Sequence, residues 1–390
     1  MKNFIPYGKQ LLDKFDKEAV LKVLNSDFLT QGPKVLEFEK ALCRKTGAKY
    51  AVAVSSGTAA LHLAVLALEV KAGAEGITSP ITFVASANCL LYGALVPKFA
   101  DIDPLTYNID PKEIEKQITK KTSLIIPVHF RGLACDMKAI SKIAKKNNLH
   151  VIEDASHAIS SNYADGSKVG NCTYSDMTIF SFHPVKTITT GEGGAITTNS
   201  KSLYEKLLLL RTHGITKDKK KLSKNEGPWY YEMQKLGFNY RLTDIQSALG
   251  TSQLKKLNRF KKRRREIVKQ YNEAFSDLEH VTLLREPKGL SSCFHLFVVK
   301  IDFKALGKPR KEVMESLFRE GIGTQVHYIP VHFLPYYKKL GFKRDDFPAS
   351  KEYYQKALSL PLYPKMTDKE IAYVIKKVKE VLCDKSKDKK

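Results

Sequence analysis

The sequence predicts an α/β protein, with a large domain on a mostly parallel sheet and a smaller C-terminal α+β domain. Short, continuous apolar runs such as 124–128 alternate with helical segments, which is typical of strands that crossover helices bury on both faces. The 390 residues exceed the length that one simple core needs. Hydrophobic residues make up 43% of the chain, enough for a substantial core.

In the N-terminal half, residues 34–46 carry apolar side chains at helical spacing. Pro33 is suited to the start of this helix and Gly47 to its end. A strand over 50–54 then breaks at a turn of small residues and leads into a helix rich in Ala and Leu. Further strands are predicted near 96–100, 123–128, 149–153, 177–182 and 194–197, with a helix over 137–147.

After residue 200 the pattern changes. The polar, lysine-rich segment 216–232 predicts an exposed loop, and residues 242–275 predict a long helix that crosses into a second domain. We place the domains at 1–252 and 253–390. The charged tail 384–390 is expected to fray. The remaining predicted elements are helices over 201–212, 309–320 and 368–382 and strands over 293–302 and 324–328.

The net charge of +24 indicates an anionic partner, because 65 Lys and Arg residues oppose 41 Asp and Glu residues. Nucleic-acid binding is one explanation. An enzyme that attracts an anionic small substrate is the other, and it is favoured because the charge is spread along the whole chain and no nucleic-acid-binding motif occurs. The densest basic run, 261–265, predicts a solvated face of the long helix.

Cysteine spacing and apolar run lengths indicate a cytoplasmic protein without metal. No Cys-x-x-Cys pair occurs, which disfavours a zinc site or a disulfide framework and predicts reduced, mostly buried thiols. No apolar stretch approaches the roughly 18 residues of a membrane helix, and the N-terminus lacks the apolar core of a secretion signal. The six cysteines are Cys43, Cys89, Cys135, Cys172, Cys293 and Cys383.

Ser56, Gly57 and Thr58 lie in a small-residue turn between a predicted strand and a predicted helix. Such a turn leaves free backbone N–H groups at the positive end of the helix, which can bind phosphate. Gly57 would let the backbone approach an anion closely, and Thr58 would add a hydroxyl group to the site. A helix N-cap without any ligand uses the same residue types, so both interpretations stay open here. The turn is not a Walker loop, and the absence of Gly-x-Gly-x-x-Gly disfavours a nicotinamide enzyme.

Asp154 closes a predicted buried strand, at the edge where α/β proteins place their ligands. A carboxylate at this position could keep a pyridine nitrogen protonated and so strengthen it as an electron sink. His157 follows three residues later and would share a face with Asp154 on a helical turn. A capping aspartate with a structural histidine is an equally open interpretation of these two residues.

Lys186 follows a predicted strand and precedes the glycine-rich stretch 191–194. A lysine in a partly desolvated loop has a lowered pKa and becomes a nucleophile toward aldehydes. Most lysines are solvated surface charges, so this residue gains its interest from the two motifs that precede it.

Three motifs that follow one another between residues 154 and 194 closely resemble the DegT/DnrJ/EryC1/StrS aminotransferases. They are the Asp-x-x-His of 154–157, the Ser-Phe-His-x-x-Lys of 181–186 and the Gly-Glu-Gly-Gly of 191–194. The resemblance covers nearly the whole chain. The other segments that match the family in order are 30–32, 56–58, 82–83, 239–241, 246–250, 327–330 and 359–361.

The resemblance implies a fold-type I enzyme that uses pyridoxal 5'-phosphate, which becomes pyridoxamine 5'-phosphate during turnover. Lys186 would bind the cofactor covalently and move a proton at the substrate carbon. Asp154 would pair with the ring nitrogen, and His157 would lie near the phenolic oxygen. The other cofactor residues implied are Ser56, Gly57, Thr58, Phe83 and Ser181, with Asn239 reaching the phosphate from the second subunit of a homodimer.

Segments 29–32, 79–88, 181–190 and 325–330 resemble the family's pseudaminic acid subgroup. This resemblance implies transfer of an amino group from L-glutamate to C4 of a UDP-linked 4-keto-6-deoxy-N-acetylhexosamine. Gly191 departs from the subgroup, where alanine occurs at this position. The positions implied for substrate binding are Gln31, His183, Arg241, His327 and Tyr328.

Two alternatives stay open beside this activity. The acceptor could be another keto sugar, either a dTDP- or GDP-linked 3- or 4-keto sugar or a different UDP-linked one. A regulator that binds the cofactor without turnover would keep the site and lose the reaction. Lys186 favours transamination over dehydration, because the dehydratases that resemble this family carry histidine at that position.

Overall fold

A seven-stranded sheet forms the centre of the N-terminal part of the protein. The computed structural model of the protein describes residues 4–284 and 286–383. The strand order is β1–β7–β6–β5–β4–β2–β3, and only β7 runs antiparallel to its neighbours within this sheet. The predicted mostly parallel α/β sheet is therefore confirmed. The strands are β1 (Tyr50–Val54), β2 (Glu75–Thr78), β3 (Val96–Phe99), β4 (Thr122–Ile126), β5 (His150–Asp154), β6 (Met177–Ser181) and β7 (Gly194–Thr198).

Helices cover both faces of this sheet, which explains its continuous apolar strands. On β5, Val151 packs into the core on one face and the adjacent Ile152 into the core on the other, because successive side chains on a strand alternate between faces. The helices of this part are α1 (Lys14–Leu24), α2 (Pro33–Thr46), α3 (Gly57–Ala67), α4 (Ala85–Tyr92), α5 (Pro111–Gln117), α6 (Met137–Lys146) and α7 (Lys201–Arg211).

The carboxyl ends of β1, β5 and β6 meet at one edge of the sheet. β5 and β6 are parallel, and β1 runs in the same direction as β6 because both are antiparallel to β7. Ser56 follows the end of β1, Asp154 ends β5 and Ser181 ends β6. The three predicted motifs are thereby brought to one place, as expected for ligand sites in open α/β sheets.

Strand β2 was absent from the sequence-based prediction. Its four residues include Gly76, and their pattern alone gives little strand signal. The strand forms because β3 and β4 pair with it in parallel on its two sides. Tertiary pairing therefore decides the conformation of this segment.

The C-terminal region contains a second sheet in the order β10–β11–β12, all antiparallel. One core joins this sheet to α8, α9 and α12. A two-stranded ladder of β8 and β9 closes the ends of the predicted exposed loop 216–232. The elements are β8 (Ile215–Thr216), β9 (Glu232–Met233), α8 (Asp244–Phe275), β10 (Val281–Leu283), β11 (Phe297–Ile301), α9 (Arg310–Arg319), α10 (Pro335–Lys339), α11 (Pro348–Lys356), β12 (Ala357–Leu360) and α12 (Asp368–Cys383).

The predicted strand over 324–328 is wrong. Only Gln325 pairs with β12, through a single bridge to Ser359, and the chain then leaves the sheet. His327 turns its ring nitrogen Nδ1 to the Ser359 hydroxyl at 2.8 Å instead of continuing the ladder. The apolar and aromatic pattern that indicated a strand serves to line a cavity described below.

Helix α8 runs across the predicted domain boundary at 252/253, so that boundary stays a prediction. The tail 384–390 lies outside the described residues. Four of the six cysteines are buried and all six are unpaired. Within the described ranges, no helix is long and apolar enough to cross a bilayer.

The predicted solvated face over 261–265 is wrong at Arg264, which is 1% exposed. Its guanidinium donates to the backbone carbonyls of Phe294, His295 and Leu362 at 2.9–3.2 Å. None of its hydrogen bonds within the described part of the chain goes to a carboxylate. Burial lowers the pKa of Arg264 to about 10, and the group still carries its charge at neutral pH.

We expect Arg264→Ala to lower the free energy of unfolding by about 2–4 kcal/mol, because three buried carbonyls lose their donor and a cavity remains. Urea denaturation gives the measurement. Lys262→Ala is the matched control, since Lys262 is exposed on the same helix, and its effect should stay within about 0.5 kcal/mol. Equal denaturation midpoints for both variants would show that the buried guanidinium does not support the fold.

Candidate active site

The start of α3 forms a tightly packed turn against the end of β6. Ser56 is the N-cap, and its hydroxyl oxygen accepts a hydrogen bond from the Ala59 N–H at 3.0 Å. A side chain at Gly57 would place its Cβ only 2.8 Å from Cβ of Ser181, and one at Gly194 would meet the backbone of Ser56 and Gly57. Glycine is required at both positions because backbone and neighbouring side chain are in direct contact.

Asp154 ends β5 with its carboxylate buried beside this turn and 4% exposed. One oxygen accepts a hydrogen bond from the Ser86 hydroxyl at 2.6 Å, and the other accepts from the Ser156 N–H at 3.0 Å. Two donors thus hold the carboxylate in a fixed orientation at the edge of the sheet.

The adjacent Glu153 points to the opposite face of the sheet and anchors this strand end. Its carboxylate accepts hydrogen bonds from His129 and from the hydroxyls of Tyr163, Ser175 and Thr178. Burial opposes its ionisation, but these donors and His129 outweigh burial and lower the pKa of Glu153. Nδ1 of His129 accepts the Cys135 N–H, so the network assigns the ring proton to Nε2, which donates to Glu153 at 2.8 Å.

Lys186 lies in the turn that follows β6, where its N–H donates to the His183 carbonyl at 2.9 Å. Its partial exposure is toward a cavity in which Asp154 also lies. Burial in this cavity lowers the pKa of Lys186 to about 8, and the negative charge of Asp154 partly opposes the shift. The lowered pKa leaves a larger fraction of this amine as free base near neutral pH than an ordinary lysine has.

His157 lies in an irregular turn beyond Asp154, and not on the helical turn that its spacing suggested. Its Nε2 is 3.1 Å from the hydroxyl of Tyr328. Burial is the main cause that places the pKa of His157 well below its usual range, and the charges of Lys186 and His327 add to it. Burial raises the pKa of the Tyr328 hydroxyl, which stays protonated. At neutral pH the pair is uncharged.

Most of the predicted site residues line one cavity of about 620 Å³. Phe83 lies at its wall and is 57% exposed, with its ring centroid 6.3 Å from that of Tyr328. His183 also lines the cavity, and its Nε2 is 3.9 Å from Oε1 of Glu192. The predicted residues that line the cavity are Ser56, Gly57, Thr58, Phe83, Asp154, His157, Ser181, His183, Lys186, His327 and Tyr328.

Gln31, Asn239 and Arg241 do not line this cavity. Gln31 is exposed before α2, with a left-handed backbone of φ 56°. Asn239 is exposed and bridges Thr212, while the backbone of Arg241 bridges the end of β1. The side chains of these three residues therefore lie outside the cavity of their own chain.

The cavity also contains residues that were not selected from the sequence. Tyr7 comes from the N-terminal segment, Ser86 from α4 and His295 from the turn before β11. Ser86 lies inside the segment 79–88 that carried the family resemblance, so its position was detectable. His295 stands in an apolar run without any recognisable motif, and Tyr7 has no local pattern.

This arrangement fits pyridoxal 5'-phosphate. The turn at Ser56–Thr58 presents a helix N-terminus to an anion, Asp154 presents a fixed carboxylate to a ring nitrogen, and Lys186 presents a free amine to an aldehyde. All three line one cavity. Within the described residues, no group of His, Cys, Asp and Glu is arranged to hold a metal ion.

The chain is similar to several known proteins over nearly its whole length. A spore coat polysaccharide biosynthesis protein of Bacillus subtilis, SpsC, is 42% identical over 97% of both chains. A UDP-4-amino-4,6-dideoxy-N-acetyl-beta-L-altrosamine transaminase of Campylobacter jejuni is 40% identical, over 97% of this chain and all of the relative.

Solved structures match the whole fold. Helicobacter pylori PseC, an aminotransferase of pseudaminic acid biosynthesis, superposes with a TM-score of 0.91 at 36% identity and covers 97% of this chain and 99% of its own. The sugar aminotransferase Spr1654 of Streptococcus pneumoniae matches in its PLP and PMP forms with a TM-score of 0.89 at 29% identity, covering 97% of this chain and 98% of its own. The cofactor is pyridoxal phosphate. The model of the DegT/DnrJ/EryC1/StrS aminotransferase family matches residues 10–379, and the chain belongs to that family.

Proposed function

We propose that the protein transfers the amino group of L-glutamate to C4 of a UDP-linked 4-keto-6-deoxy-N-acetylhexosamine. The observation that carries the proposal is the Lys186 amine, which shares a cavity with Asp154 and the start of α3. The choice of sugar is supported by the Campylobacter jejuni relative, whose name states a UDP-linked 4-amino sugar, and by the Helicobacter pylori relative, which is described as an aminotransferase of pseudaminic acid biosynthesis. The UDP-4-amino product would serve the biosynthesis of pseudaminic acid-type glycans.

Pyridoxal phosphate supplies an electron sink for the carbon that loses or gains the amino group. Asp154 would hold a proton at the ring nitrogen, because Ser86 and Ser156 fix its carboxylate toward the cavity. Lys186 would bind the cofactor and, once displaced by substrate, take and return the proton at the reacting carbon. A base with a pKa of about 8 is suited to both directions of this transfer near neutral pH.

The remaining residues of the cavity would hold and orient the cofactor. Ser56, Gly57, Thr58 and Ser181 would bind the phosphate at the helix N-terminus. Phe83 would cover one face of the ring, since its side chain is exposed at the cavity wall. The uncharged His157 and Tyr328 would lie beside the phenolic oxygen.

Substrate would contact His183 and His327, which both line the cavity. Burial and the nearby Lys186 lower the pKa of His327 to about 3, so this side chain would meet the sugar as a neutral hydrogen-bonding group. The high net positive charge would favour the capture of a sugar that carries two phosphates.

A homodimer with shared sites would place Gln31, Asn239 and Arg241 in the cavity of the second subunit. Their exclusion from the cavity of their own chain supports this arrangement. Phe28 and Leu29 shortly precede Gln31 in the chain and have exposed fractions of 55% and 48%, which favours their burial by a partner.

A second acceptor is favoured by a specific observation. SpsC, at 42% identity, takes part in spore coat polysaccharide biosynthesis. A keto sugar of a surface polysaccharide, linked to UDP, dTDP or GDP, is therefore the alternative substrate for the same site.

The test of function begins with the absorbance of the holoenzyme. Addition of L-glutamate should replace the visible band of bound pyridoxal phosphate by a pyridoxamine spectrum, and the UDP-4-keto sugar should restore the band and yield an amino sugar detectable by mass spectrometry. Restoration by a dTDP- or GDP-linked sugar alone would establish the alternative acceptor. Lys186→Ala should abolish covalent binding and turnover, while Lys201→Ala, an exposed lysine of α7, should behave like wild type. Turnover by the Lys186 variant would exclude this lysine from the reaction.

Asp154→Asn should leave covalent binding at Lys186 intact and slow the reaction with glutamate by about 100-fold or more, because the ring nitrogen loses its ionic partner. Stopped-flow absorbance measures the rate. Asp165→Asn removes an exposed carboxylate and serves as the control. An undiminished rate in the Asp154 variant would contradict the ion pair.

Mixed dimers test the shared site. Lys186→Ala and Asn239→Asp should each be nearly inactive alone, the second because a carboxylate would repel the phosphate. Dimers from equal co-expression of the two variants should recover about a quarter of wild-type activity, because half of them contain one intact site. Mixtures that stay inactive would place Asn239 in the site of its own chain, and full activity of Asn239→Asp would remove its role.

A further inference from the structure

His295 contacts His157 inside the cofactor cavity. The side chain is 4% exposed, and the two ring centroids are 4.4 Å apart with the planes tilted by 39°. His295 also lines the cavity itself. The two imidazoles therefore form a close, tilted ring contact at the cavity wall, and no hydrogen bond joins them in the described part of the chain.

Among the described residues, the ring of His157 makes a hydrogen bond through Nε2 only, so the rest of the ring is held by packing. Its Nε2 faces the Tyr328 hydroxyl at 3.1 Å, while Nδ1 is buried without a hydrogen-bond partner in the described part of the chain. Nδ1 of His295 is likewise buried and without a described partner. A single hydrogen bond does not fix the tilt of an imidazole, so the faces of neighbouring rings must do so.

The backbone around His295 is held from three directions. Its N–H donates to the Arg131 carbonyl at 2.9 Å, and its own carbonyl accepts from the buried Arg264 at 3.1 Å. The preceding Cys293 donates its thiol to the His157 carbonyl at 3.0 Å. These hydrogen bonds connect the segment of His295 to α8 and to the turn that carries His157, and they restrict the separation of the two rings.

The surroundings of the pair disfavour a proton on either ring. Burial is the main cause that lowers the pKa of both histidines well below the usual range. The charged groups that act on the pair are Lys186, His327 and Arg264, all cationic when protonated. Entry of water at the pair would remove the largest of these causes.

We propose that His295 is a positioning residue for His157, which it holds by the ring-to-ring contact and shields from water. The inference rests on the proposed role of His157 beside the cofactor. It requires an aromatic ring at position 295 and makes no use of a hydrogen bond from that ring. The nature of the sugar does not enter it.

The test follows the protonation of His157 in the full-length holoenzyme labelled with ¹⁵N-histidine. Imidazole nitrogen shifts distinguish the neutral and charged rings, and the His157 signals are those lost in His157→Gln. In wild type and in His295→Phe, His157 should stay neutral from about pH 8 to about pH 5.5. In His295→Ala it should titrate within about one unit of 6.5, because water reaches the ring.

Two results would overturn the proposal. One is a His157 that stays neutral in His295→Ala, and the other is one that titrates in His295→Phe as it does in His295→Ala. His295→Asn, which also leaves the ring face open, replaces the alanine variant if that variant does not fold. His280→Ala removes a histidine outside the cavity and should leave the His157 signals unchanged. Because the readout is taken on the resting holoenzyme, failure of every tested sugar would leave this result intact.

Discussion

The hydrogen bonds accepted by the buried carboxylate of Glu153 hold the sheet edge on which the rest of the site depends. A charged group in this position is tolerated only because His129 and three hydroxyls satisfy it. Neighbouring residues on a strand face opposite ways, so fixing Glu153 on one side fixes Asp154 on the other. Parallel pairing then sets Ser181 and Lys186 at a defined offset from Asp154.

The long helix α8 links the site to the C-terminal region. Its Arg264 donates hydrogen bonds to backbone carbonyls of two separate segments, the turn of His295 and the segment after β12, and so holds them together. The wall of the cavity that carries His295 is therefore tied to the core of the smaller sheet. The packing of the smaller sheet and the position of His295 in the cavity are therefore connected through Arg264.

The fold could be predicted because it depends on local signals, and apolar periodicity indicated most of its strands and helices. Strand ends followed by small or charged residues marked Ser56, Asp154 and Lys186 as candidates, and the family resemblance gave them their expected roles. Features that depend on distant partners were not accessible in this way. Strand β2 forms by pairing on both sides, Arg264 is buried by carbonyls from residues 294, 295 and 362, and His295 acquires its place only when its turn meets that of His157. The sequence marked Gln31, Asn239 and Arg241 through resemblance alone, and their location outside the cavity of their own chain is a property of three-dimensional structure.

The segment 325–334, which leaves the small sheet after one bridge, has a consequence for divergence among related enzymes. Asp154 and Ser181 end regular strands and Ser56 lies in a glycine-restricted turn, where a change of one side chain disturbs several neighbours. The part of the cavity wall that carries His327 and Tyr328 lies outside helices and strands, in the kind of chain that generally tolerates substitution more readily. On the proposed function, substitutions along this wall would alter the accepted sugar while the amino-transfer chemistry stays unchanged.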